Sequence, residues 1–184
     1  MRWERLFADL EAQAAAADAA ELAGEVVERT RTEVAALRLV DRLRAAVGHP
    51  VRLSCRGGEQ VVGVLERTGP DWALVAERPD REALVPLAAV TSIAGLDALS
   101  AIPGSEGRVA ARLGLAYALR GVARDRSSTV VTLVDATRIA GTLDRVGADF
   151  VEIAEHAAGE ARRARAVRQV RTVPMAALAV VRAS

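Results

Sequence analysis

Two stretches of this sequence repeat one another, and this repeat limits the possible folds more than any other feature. The stretch VVGVLERTGPDWALV begins at Val61 and IAGTLDRVGADFVEI begins at Ile139, so that a constant shift of 78 positions aligns them. Alanine-rich composition alone would not align turn and strand residues. The aligned pairs include Gly63 with Gly141, Gly69 with Gly147 and Asp71 with Asp149. We therefore interpret the chain as a duplicated unit.

The repeat continues downstream with a longer shift. The segments LVPLAAV, from Leu84, and TVPMAAL, from Thr172, align when the shift rises to 88 positions, so the second copy carries an insertion of ten residues. This insertion lies within residues 154–171 and is rich in arginine. The two copies are thus alike in their framework and differ at this one segment.

The hydrophobic pattern predicts short strands in both copies. From Val51 the apolar residues alternate with polar ones, and the segments RGGE, TGPD and RPDRE interrupt the alternation as turns. Short strands joined by tight turns are typical of a small, strongly bent β-barrel. A helical pattern precedes each copy: residues up to Val47 before the first, and roughly 108–124 before the second.

These patterns divide the chain into four parts. We predict a helical N-terminal segment over residues 1–47, a first barrel over 48–95, a linker and helix over 96–126, and a second barrel over 127–184. The linker prediction depends on the clustered Gly, Pro and Ser of GLDALSAIPGSEG. The predicted fold class is therefore α+β, with a helical N-terminal segment followed by two tandem small β-barrels, each preceded by a helix.

Each copy contains a strand glycine, a leucine two positions later and an aspartate at the next turn: Gly63, Leu65 and Asp71, and Gly141, Leu143 and Asp149. In this motif the repeated unit resembles the Sm-like small-barrel superfamily, which includes the LSm and Hfq proteins, and the resemblance implies barrels of Sm-like or SH3-like type. It implies that each glycine permits a sharp strand bend and that the barrels extend by pairing their edge strands. The Asn and the Arg-Gly pair typical of RNA-binding members are absent, so no RNA-binding residue is carried over.

Charge and composition exclude several functions. The 25 basic residues, all arginine, nearly balance 24 acidic ones, so there is no general attraction to nucleic acid or anionic membranes. Cys55, His49 and His156 are too few and too scattered for a closed zinc site, and neither a nucleophile with a base nor a phosphate-binding loop is recognisable. We expect no enzymatic activity, no metal and no cofactor. Lacking a signal sequence and a membrane-spanning run, the protein is expected in the cytoplasm.

Two groups of residues are candidate binding sites. Trp3 and Phe7 lie on one face of an amphipathic helix, where they either pack against a barrel or bind a protein partner. The insertion carries five arginines that suit a phosphate backbone: Arg162, Arg163, Arg165, Arg168 and Arg171. The competing interpretation is a solvated loop neutralised by nearby glutamates. We expect a non-catalytic protein-interaction adaptor or homo-oligomer, with RNA or DNA binding through the insertion as the alternative.

Overall fold

A computed structural model describes residues 28–157 and 167–183, together with positions 3, 7, 8, 11, 13, 21, 22 and 25. The chain divides into two compact units, Met1–Arg38 and Leu39–Ser184. In the first unit, every described position up to residue 36 is helical. The Arg29–Glu33 ion pair, one helical turn apart at 3.4 Å, supports this helix, and its exposure to solvent keeps the contribution small.

Three α-helices lie among the described residues of the second unit: α1 (Leu39–Ala45), α2 (Gly107–Ala110) and α3 (Leu115–Asp125). Helix α3 is amphipathic, and Leu115 and Leu119, one turn apart, are both buried. Helix α1 precedes the first set of strands and α3 the second. Across the described part of the chain, no helix has the length and apolar character that crossing a membrane requires.

Ten strands form one continuous antiparallel sheet. They are β1 (Pro50–Cys55), β2 (Gln60–Thr68), β3 (Trp72–Arg78), β4 (Arg81–Pro86), β5 (Val90–Ala94), β6 (Thr129–Leu133), β7 (Arg138–Val146), β8 (Phe150–Glu155), β9 (Gln169–Pro174) and β10 (Leu178–Ala183). Their order is β5-β1-β2-β3-β4-β10-β6-β7-β8-β9. The second five strands therefore repeat the order of the first five.

The prediction of two separate small barrels is wrong, because the two strand sets share one open sheet. Strand β4 of the first set pairs with β10 of the second, and Val181 lies opposite Leu84. Neither set closes on itself. The physical reason lies in β10, where the first four residues are all apolar and all buried. A strand that is apolar on both faces is more stable inside a sheet than at its edge.

The two sets share their local irregularities as well as their order. The β2–β3 pairing shifts register between Leu65 and Arg67, and the β7–β8 pairing shifts at the aligned positions, 143 and 145. A Cβ atom on Gly63 would collide with the carbonyl oxygen of Ala76, and one on Gly141 with that of Ala154. Glycine is therefore required at both positions because the neighbouring strand comes too close for a side chain.

Two hydrophobic cores form under the sheet, and each takes residues from the opposite set. The first core includes Ala179 and Val180 from β10, and the second includes Trp72 and Leu84 from β3 and β4. This exchange follows from the β4–β10 pairing, which brings each strand beside the other set's core. The two sets are consequently packed as one body.

The connection between the two sets is attached to α1. Arg44 binds the buried Asp41 (2.9 Å) on its own helix and Glu106 (2.7 Å), which lies in the connection just before α2. Arg42 donates a hydrogen bond to the carbonyl oxygen of Asp97 (2.7 Å). These contacts hold residues 97–106 against the helix although the segment contains little regular structure.

Candidate functional site

The place where β4 meets β10, called the junction here, carries an unusual buried charge. Arg182, near the end of β10, lies opposite Ala83 on one side and Val130 on the other. Its side chain is only 9% exposed. A buried arginine needs paired carboxylates, since an unpaired charge in the protein interior is very costly.

Two glutamates surround Arg182. Its Nε and Nη2 donate to the two carboxylate oxygens of Glu77 (3.0 and 3.2 Å), and its Nη1 donates to Glu59 (2.9 Å). Two further arginines complete the network: Arg138 binds Glu59 (2.5 Å), and Arg81 binds Glu77 (3.2 Å). The network thus joins the first set, which supplies both glutamates, to the second.

The network also sets the protonation of its members. Burial alone would raise the pKa of Glu59, but hydrogen bonds from Arg138 and Arg182 outweigh it and hold this pKa below its usual range. Burial alone would lower the pKa of Arg182, but hydrogen bonds to Glu77 and Glu59 raise it. Both groups are therefore charged at neutral pH.

An open cleft of about 480 Å³ lies over this network and is called the junction cleft below. Its lining combines four arginines, two acidic residues, a valine and a threonine: Arg78, Arg81, Arg138, Arg182, Glu59, Asp80, Val130 and Thr132. The β6–β7 register places Thr132 directly opposite Arg138. Side chains of directly paired residues lie on the same face of a sheet, which brings these two together.

A second cleft, of about 450 Å³, provides a comparison. It lies within the second strand set and is lined by two arginines, two acidic residues and a valine: Arg126, Arg145, Asp144, Glu152 and Val170. Arg145 binds Glu152 at 2.6 Å. Its formal charges balance, whereas those of the junction cleft do not.

The two free edges of the sheet differ in chemistry. Strand β5, with the sequence VTSIA, contains no charge and no proline. Strand β9, with the sequence QVRTVP, contains Arg171 and Pro174. Charged residues and proline on an edge strand prevent further strand pairing, so β9 carries protection that β5 lacks.

The predicted arginine site lies partly outside the described residues. Arg162, Arg163 and Arg165 are not among them. Arg168 is exposed just before β9, and its backbone N–H donates to the backbone carbonyl oxygen of Glu155 (2.9 Å). Arg171 forms an ion pair with Glu155 (2.5 Å). The described end of the insertion therefore presents one exposed guanidinium and one that is paired.

Trp3 and Phe7 are both helical and exposed, at 71% and 59%. Their spacing of four residues places them on one face of the helix. Within the first unit the two rings are therefore accessible to solvent.

The aligned aspartates have the same backbone contact and different side-chain contacts. The carbonyl oxygen of Asp71 accepts from Leu87 N (2.9 Å), and that of Asp149 accepts from Met175 N (2.7 Å). The Asp71 carboxylate also accepts from Leu115 N (2.8 Å) at the start of α3. The residue preceding that helix is Gly114, which has no capping side chain, so Asp71 supplies the cap from the other strand set.

The single cysteine and the two histidines differ in burial and in hydrogen bonding. Burial raises the pKa of Cys55 to about 11, so the thiol is protonated at neutral pH. His156 is buried between the Thr142 hydroxyl (2.8 Å) and the Ala157 carbonyl (2.9 Å), while His49 is exposed. The described residues contain no group of three or more His, Cys, Asp or Glu side chains able to hold a metal ion.

The junction network was not predicted from the sequence. One signal for it exists in the repeat: with the shift of 88, Arg182 aligns with Ala94, so a charge appears where the first copy has a small apolar residue. Single-residue differences between the copies, and not only the inserted segment, therefore indicate candidate functional sites. No protein-family model matches this chain, and a search of curated proteins finds no matching sequence.

Proposed function

We propose that this chain is a non-catalytic, cytoplasmic protein-interaction adaptor of Sm-like ancestry that binds its partner through strand β5. An extended segment of the partner adds to the sheet as an eleventh strand, and its backbone pairs with the open edge. The observation that carries the proposal is the absence of charge and proline from β5, in contrast to β9.

The surroundings of β5 also support a partner at this edge. Val90 and Ile93 are only partly buried, whereas the aligned Leu178 and Val181 of β10 are buried, and Val181 lies opposite Leu84 of the pairing strand β4. A strand added beside β5 would cover Ile93 as β4 covers Val181. Burial of that remaining apolar surface would favour association.

The test places lysine on each edge in turn. The Ser92→Lys, Ala94→Lys variant adds charge to exposed positions of β5, and the matched control, Val170→Lys, Thr172→Lys, adds it to exposed positions of β9. Each protein is used to capture partners from nuclease-treated lysate, and the captured protein is then titrated against both. We expect the β5 variant to lose at least about tenfold in affinity and the β9 variant to keep it.

Three results would count against the adaptor. They are equal capture by the two variants, recovery of nucleic acid without protein, and a dimer in light scattering that the β5 substitutions dissociate. The last result would identify the occupant of β5 as a second copy of this chain. Trp3 and Phe7 are proposed as an additional contact with the partner, and their replacement by alanine is the corresponding test.

A further inference from the structure

The junction cleft has more positive charge than its own ion pairs require. Its four lining arginines face the carboxylates of Glu59 and Asp80. When Glu77, which binds Arg81 and Arg182, is included, an excess of one positive charge remains. In the second cleft, which has nearly the same volume, the charges cancel.

Several guanidinium N–H groups of this cleft are unused. Within the described part of the chain, the side chain of Arg78 forms no hydrogen bond or ion pair. Arg81 contacts its carboxylate through Nε alone, and Arg138 contacts its own through Nη2 alone. The side chains of Arg81 and Arg138 are 48% and 67% exposed. Arg182, in contrast, uses all three nitrogens within the network.

A buried hydroxyl in the lining is also without a partner. Thr132 is 1% exposed, and its Oγ1 atom has no hydrogen-bond partner among the residues that the structure describes. A buried hydroxyl that makes no hydrogen bond is destabilising. Thr132 lies opposite Arg138 in the β6–β7 register, and both residues line the cleft.

We propose that the junction cleft binds the phosphoryl oxygens of a small phosphorylated ligand, with Arg78, Arg81 and Arg138 as donors. Arginine forks match phosphate geometry and donate two hydrogen bonds at once. A volume of about 480 Å³ exceeds a single phosphate and falls within the range of small-molecule sites. No aromatic residue lines the cleft, so the anionic group and not a stacked ring is recognised.

The other charged residues of the cleft influence ligand binding in opposite directions. Arg182 holds Glu59 and Glu77 in pairs, which prevents these carboxylates from repelling the ligand. Asp80, exposed in the β3–β4 turn, forms no hydrogen bond or ion pair with the described residues and therefore opposes the ligand. Charge removal at Asp80 and charge removal at Arg78 should consequently have opposite effects.

The test is isothermal titration of the full chain with tripolyphosphate at low ionic strength. We expect Arg78→Gln to weaken binding about tenfold, because a charge-assisted hydrogen bond is lost, and Asp80→Asn to strengthen it about twofold. The matched control is Arg145→Gln, which removes one exposed arginine from the second cleft. It should leave the affinity unchanged. Circular dichroism of each variant checks the fold.

Three outcomes would overturn the proposal. They are no binding by the unaltered chain, equal weakening by Arg145→Gln, and tighter binding of a single-stranded oligonucleotide than of tripolyphosphate. The last would identify nucleic acid as the source of the phosphates. The site does not depend on strand addition at β5: the Ser92→Lys, Ala94→Lys variant should bind tripolyphosphate normally, so failure of either proposal is recognisable by itself.

Discussion

The junction and the β9 edge contain aligned glutamates that are paired in different ways. Glu77 and Glu155 are aligned in the repeat, each near the end of the third strand of its set. The carboxylate of Glu77 accepts a hydrogen bond from Arg182 of the other set, across the junction. The carboxylate of Glu155 forms an ion pair with Arg171 and accepts a hydrogen bond from Gln169, both on the adjacent strand β9 of its own set.

This difference explains why β4 pairs with a strand of the other set whereas the aligned strand β9 remains at the edge of the sheet. At the junction, β4 offers Ala83 and Leu84, both buried, to the arriving strand. At the edge, β9 has Arg171 and Thr172 in the aligned positions. In the second copy, Glu155 is thus paired within its own set, and β9 exposes polar side chains. These side chains disfavour the pairing of a further strand with β9. Only β5 remains without such protection.

The largest change in stability is expected when Arg182, rather than Arg171, is replaced. Arg182→Ala should lower the free energy of unfolding by about 3–5 kcal/mol, because it leaves Glu77 and Glu59 paired less well in a buried site. Arg171→Ala removes a more exposed pair and should cost less than about 1 kcal/mol. Urea denaturation of both variants measures the difference. Equal losses would mean that the junction pair is no more important than the edge pair.

The second prediction exchanges the residues that distinguish the two strands. Leu84→Thr gives β4 the residue of β9 and should cost about 2–4 kcal/mol, because Leu84 is buried against the second core. The reverse change, Thr172→Leu, affects an exposed residue and should alter stability by less than about 0.5 kcal/mol. Thermal unfolding of the pair is the measurement. A large effect at position 172 would contradict the assignment of β9 as a free edge.

The third prediction concerns acid. The pKa of Glu59 is lower in the folded chain than its ordinary value of 4.5. The folded state therefore binds fewer protons than the unfolded state in acid, and the stabilisation present above pH 4.5 is lost as the pH falls through the folded value. Glu59→Gln should flatten the decline of unfolding free energy between about pH 5 and pH 3. Parallel curves for the variant and the unaltered chain would refute a contribution from Glu59.

The smallest expected effect tests the insertion, which only the second copy has. Replacement of Arg162, Arg163 and Arg165 by alanine should change affinity for single-stranded RNA by less than about threefold, at low and at moderate salt. Fluorescence titration at the two salt concentrations measures it. A larger, salt-dependent loss would instead support the nucleic-acid alternative and place the functional difference between the copies in the inserted segment.

Much of the framework was predictable because it is encoded locally. Alternating residues around Val51 and Leu53 predict β1, and TGPD and RPDRE predict the turns on either side of β3. The aligned glycines, Gly63 and Gly141, were expected at sharp strand bends, which stays a prediction; what the structure shows is that each lies where the neighbouring strand comes too close for a side chain. Each of these inferences depends on a few adjacent residues and needs no knowledge of distant ones.

The junction network was not predictable in the same way. Glu59, Glu77, Arg138 and Arg182 are far apart in the chain, and only the pairing of β4 with β10 brings them together. Single arginines and glutamates are common on protein surfaces, so none of them is distinctive by itself. The alignment of Arg182 with Ala94 was visible, but the alignment does not say which glutamates would meet it.

The repeat, the period-two strands and the turns follow from the amino-acid sequence alone, because they depend on residue identity and on spacing along the chain. Tertiary structure decided that the two strand sets share one open sheet, that Asp71 caps a helix preceding the other set, and that a cleft with excess positive charge forms between them. The physical reason is that an edge strand pairs with whichever apolar strand is accessible, and this choice is made by distant segments competing for the same edge.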